Sequence, residues 1–251
     1  MNNKVYFFSD AHLGSIAIKG GRERELKVVR FLDRIKSDAV AIYIMGDLFD
    51  FWHEYRYTVP KGYTRLLGKL SELTDSGIEV HFFTGNHDLW CGDYLEKECG
   101  LHIHHEAQQL SIMGHSFYMG HGDGLDKTDR HYLLLRSLFH SHLCQKLFAS
   151  VHPRWGIWLG QTWAGHSRKK HEGLEGYFDG PDKDGMVDYV RQYLKAHPDI
   201  EYFIFGHRHV DVDLMLTDTT RFVILGDWIE KFTYAAFDGE QLSIHHFAAQ
   251  L

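Results

Sequence analysis

Polar clusters stand directly after short apolar runs at five places along this chain. The clusters read SDAHLG, GDLFDFW, GNHDLW, GHGD and GHRH, and each apolar run before them is typical of a buried strand. In open α/β sheets, ligands bind at the carboxyl ends of strands, on loops that a rigid scaffold positions. The chain is therefore constrained to a fold in which several strands end near one place, where the clusters can converge.

The first half of the chain alternates strand-like and helix-like segments. Strands are predicted at 4–9, 39–45 and 78–83, and amphipathic helices at 22–36 and 62–75. On the first helix, the predicted apolar face is formed by Leu26, Val29, Leu32 and Ile35. The last third contains strands in close succession, namely YFIF, VDVDLML, RFVIL, FTYAAF and LSIHHF. This order predicts an α/β layered fold with a mixed second sheet.

Residues 128–176 interrupt this alternation. An apolar residue recurs there every four positions, which predicts a helix with an apolar stripe formed by Leu135, Phe139, Leu143, Leu147 and Val151. Three tryptophans and a basic run follow the stripe. We interpret 128–176 as a helical insertion, here called the lid, within a single domain that spans 1–251.

The composition limits the class of protein. An apolar fraction of 44% and a charged fraction of 24% are ordinary for a soluble globular protein. The net charge of −7 disfavours a nucleic-acid partner, and nothing in the chain indicates an obligate protein partner. Three cysteines without a CxxC pair indicate a reducing compartment. Since the chain has neither a signal peptide nor an apolar run of about 20 residues, it is predicted to be cytoplasmic, with peripheral membrane contact left open.

Carboxylate, amide and imidazole side chains recur in the five clusters. Asp10 and His12 are two residues apart, and in an extended segment such residues point to the same side. The candidate ligands are Asp10, His12, Asp47, Asn86, His121, His207 and His209. This oxygen and nitrogen set suits Mn²⁺, Fe²⁺ or Zn²⁺. Seven ligands are too many for one such ion, so two divalent ions with a bridging carboxylate are predicted.

The same clusters resemble the motifs of the calcineurin-like metallophosphoesterases, from Asp10-x-His12 to Gly206-His207-x-His209. The resemblance implies a four-layer α/β/β/α sandwich and a centre of two metal ions, with Mn²⁺ as the first choice. It implies that one ion is held by Asp10, His12 and His209. It implies that the other ion is held by Asn86, His121 and His207. Asp47 would bridge the two ions.

The GNHD cluster suggests which residues assist the metal ions in catalysis. Two cations can clamp the phosphate oxygens while a nucleophile attacks in line. The departing oxygen still needs its charge relieved, so His87 is predicted to act as general acid or hydrogen-bond donor. Asp88 is predicted to hold the His87 ring in the required tautomer and orientation.

Finer details resemble the UDP-2,3-diacylglucosamine pyrophosphatases, which are peripheral membrane enzymes of lipid A synthesis. SDAHLG, GDLFDFW, the stretch 121–136 and the lid carry this resemblance. It implies a nucleotide-linked glycolipid substrate that is cleaved to UMP and 2,3-diacylglucosamine 1-phosphate at the inner face of the cytoplasmic membrane. The substrate contacts that it implies are Asp129, Tyr132 and Arg136. Near the basic segment of the lid it further suggests Ser167, Arg168 and Lys169.

One position departs from that family, because its best-known enzymes carry Arg where this chain has His87. Arg is a permanent bidentate donor, whereas His titrates near neutral pH, so the two are not equivalent at a phosphate. A hydrolase for soluble nucleotide diphosphates, such as ADP-ribose or CDP-alcohols, therefore stays open. A phosphoprotein phosphatase is disfavoured because an apolar lid would not help to bind an extended peptide. A non-catalytic scaffold is disfavoured because every predicted ligand position is filled.

The lid has two possible uses. Its apolar side chains could line a groove for two acyl chains, or they could simply pack on the core. The candidates for a groove are Leu135, Phe139, Leu143, Leu147, Phe148, Trp155 and Trp158. Amphipathic helices that carry Trp and basic residues also suit a bilayer surface.

Overall fold

The chain folds into two β-sheets that pack face to face between helices. The computed structural model describes residues 3–127, 130–171, 178 and 180–248. The strands are β1 (Lys4–Phe8), β2 (Ala39–Ile44), β3 (Glu79–Phe83), β4 (His102–His104), β5 (Gln108–Ile112), β6 (His115–Met119), β7 (Tyr202–Phe205), β8 (Val212–Met215), β9 (Arg221–Ile224), β10 (Thr233–Phe237) and β11 (Leu242–His246). The helices are α1 (Gly21–Ile35), α2 (Thr64–Asp75), α3 (Tyr94–Cys99), α4 (Arg130–Phe139), α5 (His142–Ala149), α6 (Pro153–His171) and α7 (Gly185–Ala196).

Both sheets are mixed, with parallel strands at their centres. The first has the strand order β11-β10-β1-β2-β3-β4, in which β1 to β4 run parallel to one another and β10 pairs antiparallel with both β1 and β11. The second has the order β5-β6-β7-β9-β8, in which β6, β7 and β9 run parallel. The five polar clusters follow β1, β2, β3, β6 and β7. Each of these strands runs parallel to a neighbour.

The core consists of three apolar layers. Between the sheets, Phe7 and Tyr43 of the first sheet pack with Phe117 and Ile204 of the second, and the rings of Phe7 and Phe117 stack with centroids 5.9 Å apart. Helices α1 and α2 cover the outer face of the first sheet, and α7 covers the second. Burying each large apolar side chain stabilises the fold by about 1.5–3 kcal/mol. The expected four-layer α/β/β/α arrangement is confirmed.

The lid differs from the prediction in one respect. The apolar repeat predicted one helix, but the structure contains α4 and α5, with a break at Ser141, whose backbone is extended. Proline 153 begins α6, as a residue without an N–H group can do at no cost. Within α4 and α5 no side chain is fully buried, and Leu143 and Leu147 are 66% and 63% exposed. The apolar residues therefore recur at the predicted spacing, but the stripe that they form is not buried in a core of the protein.

The face of α1 also differs from the prediction. Leu32 and Ile35 are buried as predicted, and Val29 packs partly buried against the same core, but Val28 and Phe31 are fully buried and were not predicted. None of the described helices has both the length and the apolar character needed to cross a bilayer.

Candidate metal centre

The five polar clusters meet at one place, where the loops bond to one another through their backbones. The N–H of Asp10 donates to the carbonyl of Gly46 over 3.1 Å, and the N–H of His12 donates to the carbonyl of Asp47 over 2.9 Å. In the second sheet, Gly206 donates to His121 over 2.9 Å. The N–H of His207 joins these two sets of loops by donating to Asp10 Oδ2 over 3.0 Å, so the loops form one hydrogen-bonded unit that fixes the side chains they carry.

Left-handed backbone conformations shape this unit. Positive φ angles between 43° and 73° occur at Asp10, His12, Asp47, His207 and His209. Residues with a Cβ rarely adopt such angles, and each costs about 1–3 kcal/mol that the surrounding structure must offset. The expectation that Asp10 and His12 share a side through an extended backbone is therefore wrong. They come together because both turn through the left-handed region.

A first group of ligand atoms surrounds Asp10. Its Oδ1 lies 3.6 Å from Nε2 of His12 and 3.4 Å from Nε2 of His209, and these two nitrogens are 3.2 Å apart. Asp10 Oδ2 accepts from the Ser9 hydroxyl and, over 3.0 Å, from the N–H of His207. Asp10 Oδ1 is buried and has no hydrogen-bond partner among the described residues. A buried carboxylate oxygen without a donor is costly, and a cation at this point would compensate it.

Asp47 lies between this group and a second one. Its Oδ2 is 3.6 Å from Nε2 of His12 and 3.4 Å from Nε2 of His121. The amide oxygen of Asn86 is 3.2 Å from the same His121 nitrogen, and the His207 ring centroid lies 5.1 Å from that of His121. The arrangement suits two cations that share Asp47, so the residues present fit a dimetal centre.

The electrostatics agree with a site for cations. Burial raises the pKa of Asp10, but the neighbouring His12 ring and the charge of His209 outweigh it and lower the pKa to about 2. Burial lowers the pKa of His121, but Asp47 holds it well above its usual value. In the absence of an ion, a proton on His121 balances the carboxylates. A cation and this proton compete for the same ligand atoms, so metal affinity should fall as pH falls.

The structure corrects the role expected of Asp88. Its carboxylate accepts from the backbone N–H groups of Gly85 at 2.7 Å, Phe49 at 3.2 Å and Asp47 at 3.3 Å, rather than from the His87 ring. Asp88 therefore joins the loop after β2 to the loop after β3. Its burial and the charge of Asp47 raise its pKa to about 7.

The His87 ring is instead held by Asp50. Nδ1 of His87 lies 2.8 Å from the carbonyl oxygen of Asp50, which can only accept, so Nδ1 carries a proton. In the neutral ring Nε2 is then an acceptor, and His87 can donate from Nε2 only as an imidazolium.

Asp50 is a residue that the sequence reasoning missed and that lies beside two predicted site residues, His12 and His87. It is buried, and its Oδ1 lies 3.3 Å from Nδ1 of His12, on the side of the ring away from Asp10. A carboxylate in this position fixes the orientation of a metal-binding imidazole and increases its basicity. The signal was present in GDLFDFW, where a second aspartate stands three residues after Asp47.

Two of the predicted substrate contacts, Tyr132 and Arg136, lie close to the metal centre. Arg136 of α4 donates from Nε to Asp123 over 2.6 Å, and the Tyr132 hydroxyl donates to the same carboxylate over 3.4 Å. The Tyr132 ring lies 5.9 Å from that of His207. Helix α4 is thereby attached beside the metal centre.

The other predicted contacts cannot be placed in this way. Asp129 lies outside the described residues. The backbones of Ser167, Arg168 and Lys169 belong to α6, and their side chains lie outside the described residues.

The sequence is similar to a known family and to several named proteins. The sequence pattern of the family described as calcineurin-like phosphoesterases matches residues 3–211. The UDP-2,3-diacylglucosamine hydrolase of Porphyromonas gingivalis is 43% identical, and the alignment covers 96% of this chain and 97% of that protein. The protein of the same name from Neisseria gonorrhoeae is 30% identical over 89% of each chain. Among solved structures, the phosphoesterase Yfce of E. coli aligns over 96% of this chain and 91% of its own, with a TM-score of 0.45 and 16% identity.

Proposed function

This chain belongs to the calcineurin-like phosphoesterase family and is a metal-dependent hydrolase, and we propose that its substrate is UDP-2,3-diacylglucosamine. The reaction would add water across the pyrophosphate bond and release UMP and 2,3-diacylglucosamine 1-phosphate. The observation that carries the proposal is that the relatives with this activity in their names match nearly the full length of the chain.

Two divalent ions, Mn²⁺ in our proposal, would polarise the phosphate oxygens and neutralise the charge that develops at phosphorus. One would be held by Asp10, His12 and His209. The other would be held by Asn86, His121 and His207. Asp47 would contribute to both.

His87 serves the leaving oxygen in this proposal. Nδ1 of His87 donates to the Asp50 carbonyl, so the imidazolium form carries its second proton on Nε2, on the other side of the ring. Proton donation from a positioned side chain contributes roughly 10²–10⁴-fold to such a reaction. Asp50 acts as a positioning residue, because its carbonyl orients His87 and its carboxylate orients His12. Asp88 keeps the two loops together.

An aromatic layer beneath the lid suits the binding of the acyl chains of the substrate. Phe148 of α5 packs against Trp90 with ring centroids 4.6 Å apart and against Phe51 at 6.1 Å. The indole N–H of Trp90 donates to the carbonyl of Phe139, which joins α4 to the same layer. Phe51 follows Asp50 directly, so this apolar layer begins beside His87.

The outer face of the lid suits a membrane surface. Trp155 and Trp158 are 58% and 59% exposed on α6, and Leu143 and Leu147 are exposed on α5. Exposed apolar side chains in such a group mark an interaction surface, and tryptophan is favoured at the bilayer interface. We place the protein peripherally on the cytoplasmic face of the membrane, where its substrate would lie.

The test is direct. The purified protein is incubated with UDP-2,3-diacylglucosamine in detergent, with Mn²⁺ or with EDTA, and the products are identified. We expect UMP and the lipid monophosphate only with the metal, and neither from Asp47→Ala. Hydrolysis of ADP-ribose or a CDP-alcohol but not of the lipid would reject the substrate while keeping the family chemistry.

A further inference from the structure

A polar cavity of about 230 Å³ opens beside His121, on a part of the metal centre that the aromatic layer does not border. Its walls come from the ends of β3 and β4, from the loop after β6 and from α4 and α7. Sites that enclose a whole drug-sized ligand measure roughly 300–1,000 Å³, so this cavity suits one end of a long substrate.

One wall residue has an unsatisfied polar group. Thr84 is only 6% exposed, it lines the cavity, and its hydroxyl has no hydrogen-bond partner among the described residues. A buried hydroxyl without a partner destabilises a fold. Such a group is retained at a cost, which a ligand with a matching polar atom would remove.

The other walls are polar as well. The hydroxyls of Tyr118 and Tyr189 are 2.9 Å apart, and Glu106 is exposed at the mouth. Burial and the charge of His81 lower the pKa of His104 to about 4, so its ring is neutral near pH 7. Arg136 also lines the cavity and is fixed by Asp123, between the cavity and the metal centre.

We propose that this cavity binds the nucleoside of the substrate, with Thr84 as a specificity-determining contact. The inference rests on the proposed function, because only a nucleotide substrate has this end. A uracil base offers two carbonyl acceptors and an N–H donor, and ribose offers two hydroxyls. The Thr84 hydroxyl, the tyrosine pair and neutral His104 match those groups without requiring a charge. Arg136 stands where the adjoining phosphate would lie.

The experiment measures binding by calorimetry with the Mn²⁺-loaded protein, using UMP and methyl phosphate, which has the phosphate but no nucleoside. We expect wild type to bind UMP more tightly than methyl phosphate. Thr84→Val should weaken UMP by about fivefold to tenfold, as the loss of one hydrogen bond does, and methyl phosphate by less than twofold. Thr219→Val, in the exposed turn between β8 and β9, is the matched control.

Stability separates a binding role from a structural one. Because the Thr84 hydroxyl is unsatisfied, Thr84→Val should keep or raise the temperature of unfolding. A lower unfolding temperature together with unchanged UMP affinity would overturn the proposal. Tyr189→Phe, which removes another wall hydroxyl, gives a second test and should also weaken UMP selectively.

The outcomes distinguish this inference from the proposed function. Hydrolysis of the lipid substrate with no effect of either variant on UMP would reject the nucleoside cavity alone. UMP binding that depends on Thr84 without hydrolysis of the lipid would retain the cavity and reject the lipid substrate.

Discussion

At the scale of single residues, the metal centre depends on side chains that position its ligands. The Asp50 carboxylate lies 3.3 Å from Nδ1 of His12, the ring nitrogen that faces away from Asp10. Asp50→Asn keeps the shape and removes the charge. We expect the affinity for Mn²⁺ to fall by about 10–100-fold, with hydrolysis recovered at higher Mn²⁺.

Titration of the metal-free protein with Mn²⁺ measures that affinity. Asp218→Asn, an exposed change in the turn after β8, is the control. Equal Mn²⁺ affinity in Asp50→Asn and wild type would show that Asp50 does not act through His12.

His87 carries the second prediction at this scale. His87→Ala should lower kcat by about 10²-fold or more on UDP-2,3-diacylglucosamine, because the leaving oxygen loses its proton donor. The loss should be largest on the methyl ester of UMP, whose alkoxide leaving group needs a proton, and much smaller on the p-nitrophenyl ester of UMP, whose leaving group needs none. Steady-state kinetics on both esters test this prediction. His245→Ala, at an exposed position of β11, is the control. An equal loss on both would contradict donation to the leaving oxygen.

At the scale of elements, apolar runs predicted the central strands well and the short peripheral elements poorly. Strands β1 and β2 are almost continuous apolar segments because helices and the second sheet cover both their faces. By contrast, β4 is only His102–His104, and its pairing with β3 brings imidazole rings together. Nothing local in a three-residue polar segment predicts a strand, since its hydrogen bonds depend on the neighbouring strand.

That histidine edge leads to a prediction on pH. Burial and the nearby charges of His81 and His102 lower the pKa of His104 to about 4. A histidine with a lowered pKa binds fewer protons folded than unfolded, so its contribution to stability is complete above roughly pH 6.5 and is lost as pH falls towards 4. His104→Gln should therefore show less acid destabilisation than wild type in this window.

Urea unfolding of both proteins at several pH values between these limits measures the effect. His246→Gln, exposed on β11, should behave as wild type. Parallel pH profiles for His104→Gln and wild type would contradict the assignment.

The lid carries the next prediction. Trp155→Gln with Trp158→Gln should reduce binding to anionic phospholipid vesicles, because two exposed interfacial anchors are lost. The change should leave thermal stability within about 0.5 kcal/mol, as exposed substitutions do. Vesicle sedimentation is the measurement, and Met215→Gln on β8, 60% exposed and outside the lid, is the control. Undiminished sedimentation of the double variant would assign membrane contact elsewhere.

At the scale of the whole molecule, convergence of the ligands could be predicted and their detailed placement could not. Position after parallel strands was enough to predict that Asp10, Asp47 and His121 would meet, because the sheets bring those strand ends together. The left-handed turns at Asp10 and His12 are imposed by backbone bonds to the loop after β2. The same applies to Asp50, whose partner is 38 residues away in the chain and becomes a neighbour only in the folded molecule.

This dependence on both sheets makes the metal centre a source of stability for the entire fold. Loops from the two sheets bury carboxylates close together at this centre. Among the described residues, Asp10 Oδ1 has no hydrogen-bond donor. An ion that binds only the folded state at about 100-fold above its Kd adds about 2.7 kcal/mol. In a protein of this size that corresponds to an unfolding temperature higher by about 5–10 °C.

Calorimetric unfolding with Mn²⁺ and with EDTA measures that shift in unfolding temperature. The variant Asp10→Asn shows whether the shift depends on this carboxylate. The substitution keeps the size of the side chain and removes its charge, so the gain in unfolding temperature from Mn²⁺ should largely disappear. If Mn²⁺ stabilised wild type and Asp10→Asn equally, the ion would be bound elsewhere. If it stabilised neither, the strain of the five left-handed residues would have to be offset by the loop hydrogen bonds alone.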